Sequence, residues 1–131
     1  MVLIDTSAWI SFFNNQSSLE SKKVLEFLEN DEVCICPTVL QELLQGIKND
    51  KDFFQIKGNL LALDFINYDP VETAIGAAEL YRTGRKRGFT IRKSNDCLIA
   101  WCAIKASIPV FSIDRDFNKI AEFSKLKLFN T

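Results

Sequence analysis

Histidine is absent from the 131 residues, and its absence removes a large share of enzyme chemistry. Ser-His-Asp and Cys-His hydrolases, histidine phosphotransfer and every His-ligated metal site are excluded together. Cysteine is scarce, with only Cys34, Cys36, Cys97 and Cys102. Free thiols packed as small hydrophobes in a reducing cytosol are the expectation, with a four-thiolate zinc site as the weaker alternative. No apolar run is long enough to cross a bilayer. The opening Met1-Val2-Leu3-Ile4-Asp5 lacks a basic leader, so no signal peptide and a cytoplasmic location are expected. Charge of one sign is missing too: 16 basic and 17 acidic residues leave a net charge of −1. A polyanion-coating surface is excluded, and any nucleic-acid contact must come from a local patch.

What remains is an ordinary globular composition, 47% hydrophobic with eleven Phe. A chain of this length can bury a core of its own, and no linker, repeat or low-complexity tract divides it. One domain over residues 1–131 is expected.

Punctuation along the chain marks short strands alternating with helices. Val2-Leu3-Ile4 is a buried-strand run, followed by a short helix over Ser7 to Phe13. Ser17 with Glu20 reads as a capping box for a helix that stops near Asn30-Asp31. Val33 to Cys36 is a second strand. Thr38 with Gln41 reads as another capping box, for a helix from Val39 to Ile47, and residues 51–62 suit a further helix. Leu63 to Tyr68 is a third strand. Asp69-Pro70-Val71-Glu72 opens the next helix, with a cap, a proline at the first helical position and an acid at the third. Ser94 caps another helix. Pro109 to Ile113 is a fourth strand, Phe117 to Phe123 a closing helix, and Leu126 to Phe129 a last edge strand. This alternation predicts an α/β fold with a mostly parallel sheet and helices on both faces. Right-handed crossovers then place the carboxyl ends of the strands along one edge, where such sheets bind ligands.

Acids gather at that edge. Asp5 follows the first strand, Asp114 and Asp116 follow the fourth, Glu42 lies in the helix after the second, and Asp96 opens the helix before the fourth. Four carboxylates converging there repel one another unless protons or a cation neutralise them. All-oxygen ligands favour magnesium or manganese. Each acid alone has a plainer reading: Asp96 as a complement to its helix dipole, Asp114 as a turn residue, Glu42 as a solvated helix residue. Asp5 is harder to dismiss, because burial of an acid behind an apolar strand is expensive. One metal site explains all four more economically.

Four motifs, nearly spanning the chain, carry a resemblance. They are Val2-Leu3-Ile4-Asp5-Thr6-Ser7 with Trp9-Ile10, Pro37-Thr38-Val39-Leu40-Gln41-Glu42-Leu43-Leu44-Gln45-Gly46, Asn95-Asp96-Cys97-Leu98-Ile99-Ala100, and Phe111-Ser112-Ile113-Asp114-Arg115-Asp116-Phe117. In order and spacing the sequence resembles a PIN-domain ribonuclease, and within that family a VapC-like toxin of a toxin–antitoxin pair. The resemblance implies a three-layer α/β/α fold and a magnesium-dependent endoribonuclease cutting single-stranded regions of RNA. The family's acids fall on Asp5, Glu42, Asp96 and Asp114 as catalytic and metal-holding residues. Thr6 and Ser112 match hydroxyls that orient ligands or waters. Asp116 reads either as an outer support or, preferably, as a cap on the last helix. The resemblance also implies a cognate antitoxin and a homodimer.

The dense basic run Gly84-Arg85-Lys86-Arg87-Gly88, followed by Arg92 and Lys93, suits the RNA backbone. It suits a helix C-terminus capped by Gly88 equally well. The competing function is phosphoryl transfer or receiver-like signalling with Asp5 or Asp114 as phospho-acceptor. Against it, no second acid stands two residues after Asp5, and no lysine follows the last strand at a switch position.

Overall fold

In the computed structural model, which describes residues 1–129, the three apolar residues after Met1 form one of the two inner strands of the sheet. This is β1 (Val2–Ile4), and each of its residues is buried. Around it lie β2 (Val33–Ile35), β3 (Asp64–Phe65) and β4 (Val110–Phe111), in the order β3-β2-β1-β4 with every pairing parallel. Parallel strands covered on both faces read as continuous apolar runs rather than alternating ones, as β1 and β2 do. Two helices join each successive pair: α1 (Thr6–Asn14) and α2 (Leu19–Glu29), then α3 (Pro37–Gln45) and α4 (Asp50–Leu61), then α5 (Pro70–Lys86) and α6 (Asn95–Ala106). A final helix, α7 (Asp116–Phe123), follows β4. The result is the expected α/β fold, with helices layered on a parallel sheet.

The direction of winding matters for function. From β1 the chain moves outward to β2 and β3, then crosses back to place β4 on the other side of β1. Strand order therefore reverses between β1 and β4. A crevice opens at such a switch point, beyond the carboxyl ends of the two strands.

Several local expectations are corrected. The third strand shrinks to two residues, and Leu126 to Phe129 makes one parallel bridge, Val110 to Leu128, instead of a strand. With β4 only two residues long, Val110 alone is available to it, bonding Lys127 and Phe129 at 2.9 Å each. Helix α2 is capped by Ser18, whose Oγ accepts from the Ser21 N–H at 3.1 Å, rather than by Ser17. The box at Thr38 does not form. Pro37 takes the first helical position, where its missing N–H costs nothing, so α3 starts two residues earlier than expected, with no side-chain cap. Ser94 likewise precedes α6 without a side-chain cap. Asp69 behaves as expected, accepting from the Glu72 N–H at 2.9 Å ahead of Pro70.

The glycine after the basic run does close α5. Gly88 has φ +85°, and Phe89 N–H returns to Gly84 O at 2.9 Å. This left-handed ending satisfies carbonyls that the helix would otherwise leave bare. Arg85 and Lys86 stand in the last turn, where cations complement the helix dipole.

Small residues let α5 approach its neighbours. The Trp101 indole of α6 fills the space beside Gly76, and the Phe123 ring of α7 fills that beside Gly84. A Cβ at Gly76 would overlap the indole, which Tyr68 also holds edge-on at 5.7 Å. Gly76→Ala is therefore expected to cost about 1–3 kcal/mol through forced repacking, read as a lower urea midpoint with unchanged slope.

All four cysteines are buried free thiols. Burial pushes Cys34 and Cys97 up to about 11, so neither is a thiolate at neutral pH. No described helix is long and apolar enough to cross a membrane.

Candidate active site

Asp5 sits where β1 hands over to α1, and it serves as the N-cap of that helix. Its Oδ1 accepts from the Ala8 N–H at 3.0 Å, while the Ser7 hydroxyl lies 2.8 Å from both carboxylate oxygens. Ser112, just beyond β4, donates to Oδ2 at 2.8 Å. Burial raises the Asp5 pKa above its usual value, and these hydrogen bonds offset only part of the rise.

The same Ser112 oxygen accepts the Asp114 N–H at 2.9 Å, tying the two strand ends together across the switch point. Asp114 Oδ1 then accepts the Asp116 N–H at 2.9 Å and an Arg92 guanidinium N–H at 3.2 Å. Its Oδ2 accepts from Lys93 Nζ at 3.0 Å. Burial pushes the Asp114 carboxyl up, but the Asp116 N–H and the Lys93 and Arg92 cations together outweigh it. The net shift is downward.

Asp116 does not cap α7, contrary to the preferred expectation. It lies inside the helix start, almost wholly buried, and accepts from the Arg92 backbone N–H at 3.2 Å and its Nε at 3.3 Å. Lys119, one turn on, adds a contact at 3.4 Å. One carboxylate oxygen each from Asp96, Asp114 and Asp116 lies within 4.8 Å of the others. Among the described residues this is the only such acidic or thiol group, so the zinc alternative finds no support.

Asp96 occupies the first turn of α6 and is 5% exposed. Its Oδ2 is buried with no hydrogen-bond partner among the described residues. Burial and then the nearby Asp114 charge raise its pKa to about 7. A buried carboxylate with one oxygen unpartnered, clustered with two further carboxylates, fits a hard cation, which would supply the missing partner.

Glu42 stands apart from that trio. Its Oε1 accepts the Thr6 hydroxyl at 2.6 Å, and Asn95 approaches Oε2 at 3.5 Å. Thr6 and Asn95 are the chain neighbours of Asp5 and Asp96, so Glu42 is tied to the residues next to both acids. Arg92 and Lys93, expected to contact the RNA backbone, are exposed side chains that pair with Asp114 and Asp116. Among the described residues no ion pair engages Arg85, Lys86 or Arg87.

Ser7, Asn95 and Lys119 were not singled out in the sequence. A hydroxyl two residues after a strand-end acid was the available signal for Ser7, since it reaches back to a cap carboxylate. Nothing in the sequence distinguishes Asn95 or Lys119 from solvated helix residues.

A family model described as PIN domain matches residues 2–123. VapC ribonuclease Mb1587 from Mycobacterium bovis is 33% identical over 129 residues, covering 97% of this chain and 96% of that protein. Ribonuclease VapC11 from Mycobacterium tuberculosis matches to the same extent. Among solved structures, VapBC2 from Rickettsia felis bound to a promoter DNA fragment superimposes with a TM-score of 0.76 at 20% identity, covering 100% of this chain and 99% of that one. VapBC-1 from nontypeable Haemophilus influenzae gives 0.74 at 19% identity, with coverages of 99% and 98%. These matches do not favour the phospho-acceptor alternative.

Proposed function

The chain belongs to the PIN domain family, and we propose that it is the ribonuclease toxin of a toxin–antitoxin pair, cutting single-stranded regions of RNA with magnesium or manganese. The observation that carries the proposal is the Asp96–Asp114–Asp116 carboxylate cluster beyond β1 and β4, in which buried Asp96 keeps one oxygen, Oδ2, without a hydrogen-bond partner among the described residues. Relatives named as VapC ribonucleases over nearly the whole length support the reaction class. Solved VapBC complexes of the same fold support an antitoxin as partner. A homodimer and a cytoplasmic location complete the reading.

Asp5, Glu42, Asp96 and Asp114 would hold the cation, and Asp116, clustered with Asp96 and Asp114, would add a further carboxylate. A divalent ion bound there supplies a Lewis acid for the scissile phosphate and a water of lowered pKa. The chain's own groups do the positioning. Ser7, Ala8 and Ser112 fix both oxygens of Asp5, so that the carboxylate presents one geometry. Thr6 turns Glu42 toward the rim, and Arg92 clamps Asp114 and Asp116 in a fixed relation. Burial raises the Asp96 pKa to about 7, and a bound cation would favour its ionised form.

The test is cleavage of a structured RNA by the purified chain. A chelator is expected to abolish cutting, and added Mg²⁺ or Mn²⁺ to restore it, with products mapped at nucleotide resolution. Cleavage that persists unchanged in excess chelator would sink the proposal. Acyl-phosphate formation on Asp5 from acetyl phosphate would revive the rival reading.

A further inference from the structure

Three carboxylates meet at the acidic trio, and three cations of the same chain meet them. Arg92, Lys93 and Lys119 each lie within 3.4 Å of Asp114 or Asp116. These cations occupy oxygens of Asp114 and Asp116 that a dication would also use, so an entering dication competes with them. The three cations are not held equally. Arg92 bridges both Asp114 and Asp116 and also donates its backbone N–H to Asp116. Lys119 shares its ammonium between Asp116 and the Thr90 carbonyl, at 3.4 and 3.2 Å. Among the described residues Lys93 makes one hydrogen bond, to Asp114 Oδ2 at 3.0 Å. Its side chain is 58% exposed, whereas that of Asp114 is 8% exposed.

We propose that Lys93 is a tethered counter-cation, which neutralises Asp114 in the empty site and is the group a divalent ion displaces. The proposal rests on reading the trio as a metal site, and adds that the site's affinity is held down by a built-in competitor. The physics supports displacement of this lysine in particular. A solvated ammonium with one partner contributes little net attraction, and its long stem gains freedom on release. A dication facing three carboxylates gains far more. Leaving Arg92 in place keeps Asp114 and Asp116 aligned after the exchange.

Mn²⁺ binding to the metal-free full chain, measured by titration calorimetry, tests this. Lys93→Met is expected to bind Mn²⁺ roughly three- to tenfold more tightly, and Lys93→Arg, which keeps a cation there, no more tightly than the parent. The advantage of Lys93→Met should persist at about 0.5 M salt, where screening leaves only close contacts. Metal-induced thermal stabilisation should rise in parallel. Equal or weaker binding by Lys93→Met overturns the proposal, as does an advantage that vanishes with salt. Asp114→Asn separates the two layers of the argument: it should weaken Mn²⁺ binding strongly whatever Lys93 does. If parent and Asp114→Asn both fail to bind Mn²⁺, the metal reading itself is lost and the lysine proposal with it.

Discussion

Asp96→Asn is expected to abolish RNA cleavage and, in the same molecule, to make the metal-free protein more stable at pH 8. The two effects share one cause. The Asp96 carboxyl titrates near 7 in the folded chain, against an ordinary value of 3.8. Below about pH 4 it is protonated in both folded and unfolded states and contributes nothing to the difference between them. Between pH 4 and 7 the unfolded chain releases the proton and the folded chain retains it. Stability therefore falls as pH rises through this window, and the full penalty is present above it.

Asp5, also raised, adds in the same direction. Asp114, lowered, acts at more acid pH and leaves the window clear. One pKa unit is about 1.4 kcal/mol, and discounting for solvent near the site leaves a gain of roughly 1–3 kcal/mol for Asp96→Asn at pH 8. At this chain length that is about 4 °C of melting temperature per kcal/mol. Melting curves at pH 5 and pH 8 in chelator check it: the parent should lose stability between the two, and the variant should lose much less. A variant that melts lower than the parent at pH 8 would contradict the argument. Here activity and stability trade against each other because the site keeps an unsatisfied charge for a ligand.

Most of this constellation was legible because it depends on strand ends. β1 was readable to the residue, since three buried apolar positions between Met1 and Asp5 admit no other register. Once β1 and β4 are parallel neighbours, Asp5 and Ser112 must meet, and Asp96 follows from the helix that feeds β4. What could not be read was direction. Asp116 belongs with Asp96 and Asp114 because Arg92, 24 residues earlier, reaches it with both backbone and side chain. A sequence displays the sign of Arg92 and Lys93 but not the way they point, so their pairing with Asp114 and Asp116 could not be read from it. The misplaced caps have a similar origin. Ser17 and Ser18 are chemically equal candidates, and only the Ser21 N–H decides between them. At α3 the proline overrode a pattern that was sound in isolation.

Asp5→Ala is expected to abolish cleavage as completely as Asp96→Asn while shifting stability the opposite way. Asp5 is no less buried than Asp96, at 3% exposure, but each of its oxygens has a hydrogen-bond partner in the chain. Truncation removes the N-cap of α1, worth about 1 kcal/mol. It also strips the Ser7 and Ser112 hydroxyls and the Ala8 N–H of their acceptor, at about 1–3 kcal/mol for the buried groups left unpaired. A loss of roughly 2–4 kcal/mol should follow, read from urea denaturation at pH 7 in chelator. Asp5→Asn keeps one carbonyl acceptor for Ala8 and should recover part of that loss without recovering cleavage. The raised pKa of Asp5 does not reverse the sign, because the same hydrogen bonds that oppose the shift are the ones truncation destroys. Two acids at one switch point thus separate by what each lacks: Asp96 wants a ligand the chain does not provide, and Asp5 is already held by the chain. If both alanine and asparagine at Asp5 left stability unchanged, the Ser7–Asp5–Ser112 tie across β1 and β4 would carry no weight in the fold.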